Sequence, residues 1–182
     1  SSDLDRQAVL YVMEPYSVSG SGRVSITNTG TKIVVGAPGF RFSSGDPREG
    51  AVFVTTRSGT TWGAFDGWAG GAANSETGFR VVISDDGNTM VYSSPFYSSN
   101  AGRVRVATFN GSSWSTAQTY TGSAGQKLGW SIGFAQSTAD YIIVSAVESE
   151  VAYVYAKVSG TCGSSAQSTL TNNDPVNTNR FG

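Results

Sequence analysis

The sequence predicts an all-β chain built from about three copies of one four-stranded antiparallel unit, and three observations predict it. First, apolar runs alternate with turns bearing Gly, Asn and Ser, and no stretch keeps the 3.6-residue apolar period of a helix. Second, one order of features recurs: strand, tight turn, strand, long loop, strand, glycine turn, tryptophan. It is clearest in Gly22-Arg23-Val24-Ser25-Ile26, Thr29-Gly30-Thr31, Ile33-Val34-Val35-Gly36-Ala37-Pro38, Gly50-Ala51-Val52-Phe53-Val54 and Ser58-Gly59-Thr60-Thr61-Trp62. Third, the glycines that open the units, Gly22, Gly78, Gly129 and Gly182, are spaced 56, 51 and 53 residues apart. A period of about 50 residues with four strands per unit is the signature of β-propeller blades. The expectation is therefore three blades in one propeller domain, with a partial blade at each end.

Taken in order, residues 1–20 hold the strand-like run Ala8-Val9-Leu10-Tyr11-Val12-Met13, ended by Glu14-Pro15, and read as the end of a preceding blade. Residues 21–73 form the first full unit. Val24 and Ile26 alternate with polar neighbours, whereas Ile33–Ala37 is nearly continuous apolar, the pattern of a strand covered on both faces. Arg41–Glu49 is a polar loop, and the fourth strand carries Trp62 and ends near Trp68.

Residues 74–125 repeat this. Asp85-Asp86-Gly87-Asn88 marks a hairpin, Met90–Pro95 matches Ile33–Pro38, and Asn110-Gly111-Ser112-Ser113-Trp114 copies Ser58–Trp62. Pro95 follows Pro38 by 57 residues, while Trp114 follows Trp62 by 52; the long loop absorbs the difference. Residues 126–168 are the most altered unit. Trp130, Ile132 and Phe134 are expected on one face of its first strand, Tyr141–Ala146 is the second strand, Val151–Ala156 the third, and Cys162 stands where tryptophan is expected. Residues 169–182 read as a polar linker and the start of a further blade.

Composition narrows the function classes. With 38 % apolar, 14 % charged and 12 % aromatic residues and 23 glycines in 182, the chain reads as an all-β protein of extracellular type rather than a disordered one. A net charge of −1 leaves no footprint for nucleic acid or an anionic membrane, and no run of 18 apolar residues could cross a bilayer as a helix. There is no histidine and one cysteine, Cys162, so no internal disulfide, Cys-based zinc site or Cys–His pair can form. Cys162 reads either as a small buried or unpaired thiol or as a bridge to a cysteine outside this sequence. Without an initiator Met or a signal peptide, the chain is expected to be a processed or excised piece, its ring completed by further blades of a longer chain.

The units resemble the FG-GAP repeat, the blade of integrin-α-type β-propellers. The resemblance rests on Leu128-Gly129 and Phe181-Gly182, on the Val-Ser-Ile and Trp-Ser-Ile strands, on Val34-Val35-Gly36-Ala37-Pro38 and on Gly-Ala-Val-Phe-Val followed by Ser-Gly-Thr-Thr-Trp. It covers about residues 20–160. Many members carry an Asp-rich calcium loop between the first two strands. Here those positions read Thr27–Thr31, Ser84–Asn88 and Gln136–Asp140, too poor in carboxylates or too short for six to eight oxygen ligands. Calcium is not implied, nor is any other metal or cofactor.

Candidate catalytic residues are lacking: the acid pairs Asp3/Asp5, Asp85/Asp86 and Glu148/Glu150 sit at ends or turns, and no nucleophile elbow, P-loop or dinucleotide fingerprint occurs. Trp62, Trp68, Trp114 and Tyr120 repeat a six-residue spacing; they read as same-face aromatics that cover an edge or pack between blades, or as a sugar-stacking platform. Asn110 heads the Asn-Gly-Ser sequon on an expected turn and is a candidate glycosylation site. The expected function is a non-catalytic extracellular propeller segment for protein contact, adhesion or surface structure. A carbohydrate-binding propeller and the accessory propeller of a larger hydrolase are the alternatives.

Overall fold

The computed structural model describes residues 23–41, 47–135, 137, 140–158 and 161–171. The strand expected over 8–13, the openers Gly22 and Gly182, the turn at Ser159-Gly160 and residues 172–182 lie outside them. Three antiparallel sheets follow one another along the chain. The first holds β1 (Val24–Ile26), β2 (Lys32–Ala37), β3 (Ala51–Ser58) and a fourth strand in two pieces, β4 (Thr61–Trp62) and β5 (Asp66–Ala69), both paired to β3. The second holds β6 (Val81–Ile83), β7 (Thr89–Ser94), β8 (Arg103–Phe109) and β9 (Trp114–Thr121). The third holds β10 (Leu128–Phe134), β11 (Tyr141–Ala146), β12 (Val151–Val158) and the split pair β13 (Thr161–Cys162) and β14 (Ser168–Thr171). The tail expected to be loop from Thr169 thus begins as strand, paired through Ala152↔Leu170 and Val151↔Thr171.

Because each sheet is a meander, strand direction alternates. The described parts of the long connections (38–41 with 47–50, 70–80, 95–102, 122–127 and 147–150) all fall at one end, the loop end, and the hairpins at the other, the turn end.

In the first two sheets the fourth strand carries one residue more than the strand it pairs with. In the second, Val106 pairs with Gln118 but Ala107 pairs with Thr116, so Ala117 is one residue too many. In the first, Gly63, Ala64 and Phe65 stand between the pairs Arg57↔Trp62 and Val54↔Asp66, again one more than the two residues they face. A bulge of this kind bends the strand and reverses which face later residues occupy. It therefore overturns the same-face expectation for Trp62 with Trp68 and for Trp114 with Tyr120.

The cores lie between sheets. Val34, Val52 and Val54 of the first meet Val81, Ile83, Met90 and Tyr92 of the second. On its other side the second sheet puts Val91, Val104, Val106 and Tyr120 against Ile142, Val144, Ala146 and Tyr155 of the third. Among the described residues only the middle sheet has a neighbour on both faces, so every residue of β7 is buried while β11 alternates exposed and buried at its start. Met90, with no solvent exposure, is expected to cost about 2–5 kcal/mol on replacement by Ala, read as a lowered midpoint in urea unfolding.

At the turn end Thr27 and Ser84 hold equivalent places. The Thr27 hydroxyl oxygen accepts from the amides of Thr31 and Lys32, both at 3.1 Å, and that of Ser84 accepts from Thr89 N at 2.9 Å. Asp86 completes the second turn, accepting from the Ser84 hydroxyl and from Asn88 N at 2.9 Å. Burial pushes its pKa up, but the bonds from Ser84 and Asn88 together outweigh this and hold it below the usual carboxylate value. A folded-state pKa below the unfolded one means stability that is present above the unfolded pKa and lost as pH falls through the folded one. Asp86→Ala should therefore melt lower than the parent at neutral pH, and the gap should close as the pH drops below the ordinary carboxylate range.

Candidate functional site

The loop end gathers two features that the turn end lacks. All seven non-glycine residues with positive φ among the described residues lie there: Asn74, Glu76, Ser98, Ser99, Asn100, Lys127 and Glu150. Such backbone is costly, most of all for Glu, Lys and Ser, and persists where surrounding structure fixes it, often at binding sites. At Ser98–Asn100 the carbonyls so presented are used: Ser99 O accepts from Gly125 N at 3.1 Å and Asn100 O from Lys127 N at 2.7 Å.

The second feature is a chain of aromatic and charged side chains where the first strands of the sheets begin. Arg23 and Arg80 are repeat-equivalent, each just ahead of its first strand; their carbonyls accept from Gly36 N (2.8 Å) and Ser93 N (3.0 Å) respectively. The Arg80 guanidinium lies 4.6 Å from the centre of the Phe79 ring, and Phe79 packs on Trp130 at 5.0 Å. Phe96 closes the triad edge-on, 6.0 Å from each. Lys127 Nζ stands 5.7 Å from Trp130 and 6.0 Å from Phe96 and donates to Glu148 Oε1 at 2.9 Å.

Burial, and then the neighbouring Arg23 charge, lower the Arg80 pKa, yet a guanidinium stays charged at any ordinary pH. Among the described residues neither arginine is in an ion pair; the two pairs found there are Lys127–Glu148 and Arg48–Glu76. Two like charges near enough to act on each other, one of them over an aromatic ring, suit a ligand that is both anionic and ring-shaped. No three His, Cys, Asp or Glu side chains among the described residues are grouped to hold a metal ion.

The residues singled out in the sequence lie elsewhere. Trp68 and Trp114 meet between the first and second sheets at 6.5 Å. Lys32 from the first sheet reaches across to the second, 4.3 Å from the Phe109 ring centre and 5.4 Å from that of Trp114, and donates to Gly87 O at 2.7 Å. Trp62 is half-buried with the Arg57 guanidinium 5.9 Å from its ring centre. Tyr120 is buried, stacked on Tyr155 at 3.8 Å, and its hydroxyl donates to Gly163 O at 2.8 Å. These aromatics are not brought together as one surface.

Asn110 sits on an exposed turn, its side-chain oxygen accepting from Ser112 N and Ser113 N, both at 2.9 Å. Cys162 is half-buried beside Tyr120, and burial pushes its thiol pKa up, against the opposing effects of Lys157 and Tyr120. It should therefore react slowly with a thiol reagent at mildly alkaline pH and much faster once the chain is unfolded.

Sequence reasoning missed the loop-end group, although a signal was there. Arg80 follows Arg23 by 57 residues, the interval from Pro38 to Pro95, and Trp130 follows Phe79 by 51, the interval from Gly78 to Gly129.

No family model matches the chain, and no curated protein matches it. Solved structures do. One, from Bacteroides fragilis, is described as a "putative 6-phosphogluconolactonase"; the likeness has a TM-score of 0.62 at 11 % identity and covers 84 % of this chain and 39 % of that one. A second, from Bacteroides uniformis and described in the same words, has a TM-score of 0.64 at 10 % identity, covering 87 % of this chain and 42 % of that one. The chain thus spans about two fifths of the length of either, and at these identities the likeness shows the fold.

The expectation of a non-catalytic extracellular segment for adhesion, protein contact or surface structure, with a lectin-like propeller or a hydrolase's accessory propeller as alternatives, is corrected by these neighbours. Chains with this sheet arrangement bear an enzyme's name. Physically, a chain without histidine still places Arg, Lys and Glu at its loop end, side chains able to supply charge and to accept a proton.

Proposed function

We propose that the three sheets are consecutive blades of a β-propeller, and that the loop end of this propeller binds a phosphorylated sugar acid or its lactone. The observation that carries the reading is the pair Arg23 and Arg80, repeat-equivalent and free of ion pairs among the described residues, with Arg80 lying over Phe79 of the Phe79–Phe96–Trp130 surface. In the propeller β1, β6 and β10 are the innermost strands, so these residues rim the mouth of its axis. The fold neighbours named for a sugar-phosphate lactone support the same ligand class.

The roles follow from the chemistry. The two guanidiniums hold the phosphate through paired N–H donors, and the aromatic surface carries the ring's C–H face. Opening a lactone requires water to add to the acyl carbon and the ring C–O bond to break, leaving a carboxylate and a hydroxyl. Glu148 would take the proton from that water, and Lys127, bonded to it, would face the developing oxyanion.

The test is hydrolysis of 6-phosphogluconolactone against that of the uncharged gluconolactone. Acceleration of the first over its spontaneous rate, reduced at least tenfold in Glu148→Gln, is the expected result. Equal rates with and without the protein, together with no binding of the hydrolysis product, would contradict the reading.

A further inference from the structure

Arg103 is only 7 % exposed, and the repeat does not call for an arginine where it stands. It opens β8 opposite Ser94; the same place is Ala51 opposite Ala37 in the first sheet and Val151 opposite Ala146 in the third. Burying a guanidinium is costly, so its contacts bear on its use. Its Nη2 donates to Gly70 O at 3.3 Å, and its guanidinium carbon lies 3.8 Å from the centre of the Tyr97 ring. Gly70 begins the connection that leads to Phe79 and Arg80. Tyr97 follows Phe96 of the aromatic surface and precedes Ser98, Ser99 and Asn100, which are left-handed in succession at φ of 48°, 54° and 60°. Three such residues in a row, none of them glycine, are costly and need the surrounding structure to hold them. What they present is used: Ser99 O and Asn100 O accept from the amides of Gly125 and Lys127, and the Lys127 side chain reaches Phe96, Trp130 and Glu148.

We infer that Arg103 is a positioning residue: buried between Gly70 and Tyr97, it holds segment 96–100 in its left-handed form and so places Phe96 and Lys127 at the loop end. It acts through Tyr97 rather than on a ligand. Its flat guanidinium lies against the ring while one arm grips the neighbouring connection, a task for which its planar fork is suited. Without it the Tyr97 ring loses the surface it lies on, and the strained backbone after it is free to relax. Ser99 O and Asn100 O then leave Gly125 and Lys127, and Lys127 loses its fixed place beside Glu148. Arg23 and Arg80, which lead the first strands of their own sheets, stay where they are. What the placement serves rests on the ligand reading above; the clamp itself rests on the contacts alone.

The experiment compares the parent, Arg103→Met, Tyr97→Leu and the double variant by amide hydrogen exchange without ligand and by hydrolysis of 6-phosphogluconolactone. In each single variant the amides of Gly125 and Lys127 should exchange about tenfold faster, with those of Val91 and Val104 unmoved, since a local opening spares the core. Turnover should fall about tenfold while KM stays within about twofold, because the phosphate is still held. The double variant should be no worse than the worse single one, as both break one contact. Exchange at Gly125 and Lys127 that is unchanged, or that rises together with every other amide, would overturn the proposal. So would a raised KM with turnover unchanged, or losses that add in the double variant. If Arg103→Met does not fold, Tyr97→Leu reads the same clamp from its half-buried side. A parent that hydrolyses nothing contradicts the ligand reading instead, and the exchange at Gly125 and Lys127 then decides for or against the clamp.

Discussion

Gly102→Ala is expected to destabilise the fold by about 4 kcal/mol, a large share of the roughly 5–15 kcal/mol that holds a domain folded. Gly102 opens β8 and forms a parallel bridge with Leu128, the first residue of the next sheet. A Cβ there would stand 2.2 Å from Leu128 N and 2.3 Å from its carbonyl oxygen, at a φ of +81°. The backbone has no room to give, because Leu128 N donates to Ala101 O and Gly122 N to Gly102 O, both at 3.0 Å. The same arrangement ties the first sheet to the second: Gly50 bridges Thr77, Thr77 N donates to Glu49 O at 2.9 Å and Gly70 N to Gly50 O at 2.8 Å. Gly111→Ala is the control. Its φ is +99°, but nothing lies within 4 Å, so it should cost only the backbone strain, about 1 kcal/mol. Urea unfolding of the two variants separates crowding from strain. Equal losses would show that the junction is not close-packed as described.

Arg80→Ala is expected to weaken binding of a phosphorylated sugar acid by about 10–100-fold, since a hydrogen bond to a charged group contributes about 1.5–3 kcal/mol. Arg80 is half-buried and shares the site with Arg23, so its charge is less screened than a lone surface arginine's. Arg23→Ala, on the more exposed of the two, should lose less, and raising the salt should weaken the parent more than either variant. A neutral sugar should bind equally to parent and variants. Calorimetric titration reads all of these, and an unchanged affinity in Arg80→Ala would remove the arginine from the site.

Much of the fold was legible because the strand signals are local. The strands expected at Ile33–Ala37, Met90–Ser94 and Tyr141–Ala146 are the second strands of the three sheets, and the turns at Gly30 and Gly87 are where turn chemistry put them. The fourth strands were harder. An extra residue such as Ala117 leaves no mark in composition, yet it reverses the face of Tyr120 relative to Trp114 and sends one toward the third sheet and the other toward the first.

Trp130 is a similar case. It was expected to share a face with Ile132 and Phe134, but the irregularity between Leu128 and Ile132 frees it to join Phe79 and Phe96, while Ile132 and Phe134 pack against the second sheet. The loop-end group was hidden for a further reason. It draws single residues from separate repeats, so no short window of sequence contains it, and only the packing of one sheet on the next brings Arg23, Arg80 and Lys127 to one end.

The most direct measurement is a map of backbone amide shifts during titration with 6-phosphogluconate. Binding at the loop end predicts the largest changes at Arg23, Phe79–Arg80, Lys127–Trp130 and Glu148, with the turn-end residues around Trp62 and Trp114 unmoved. Shifts centred on Trp62 or Trp114, or none at saturating ligand, would contradict it.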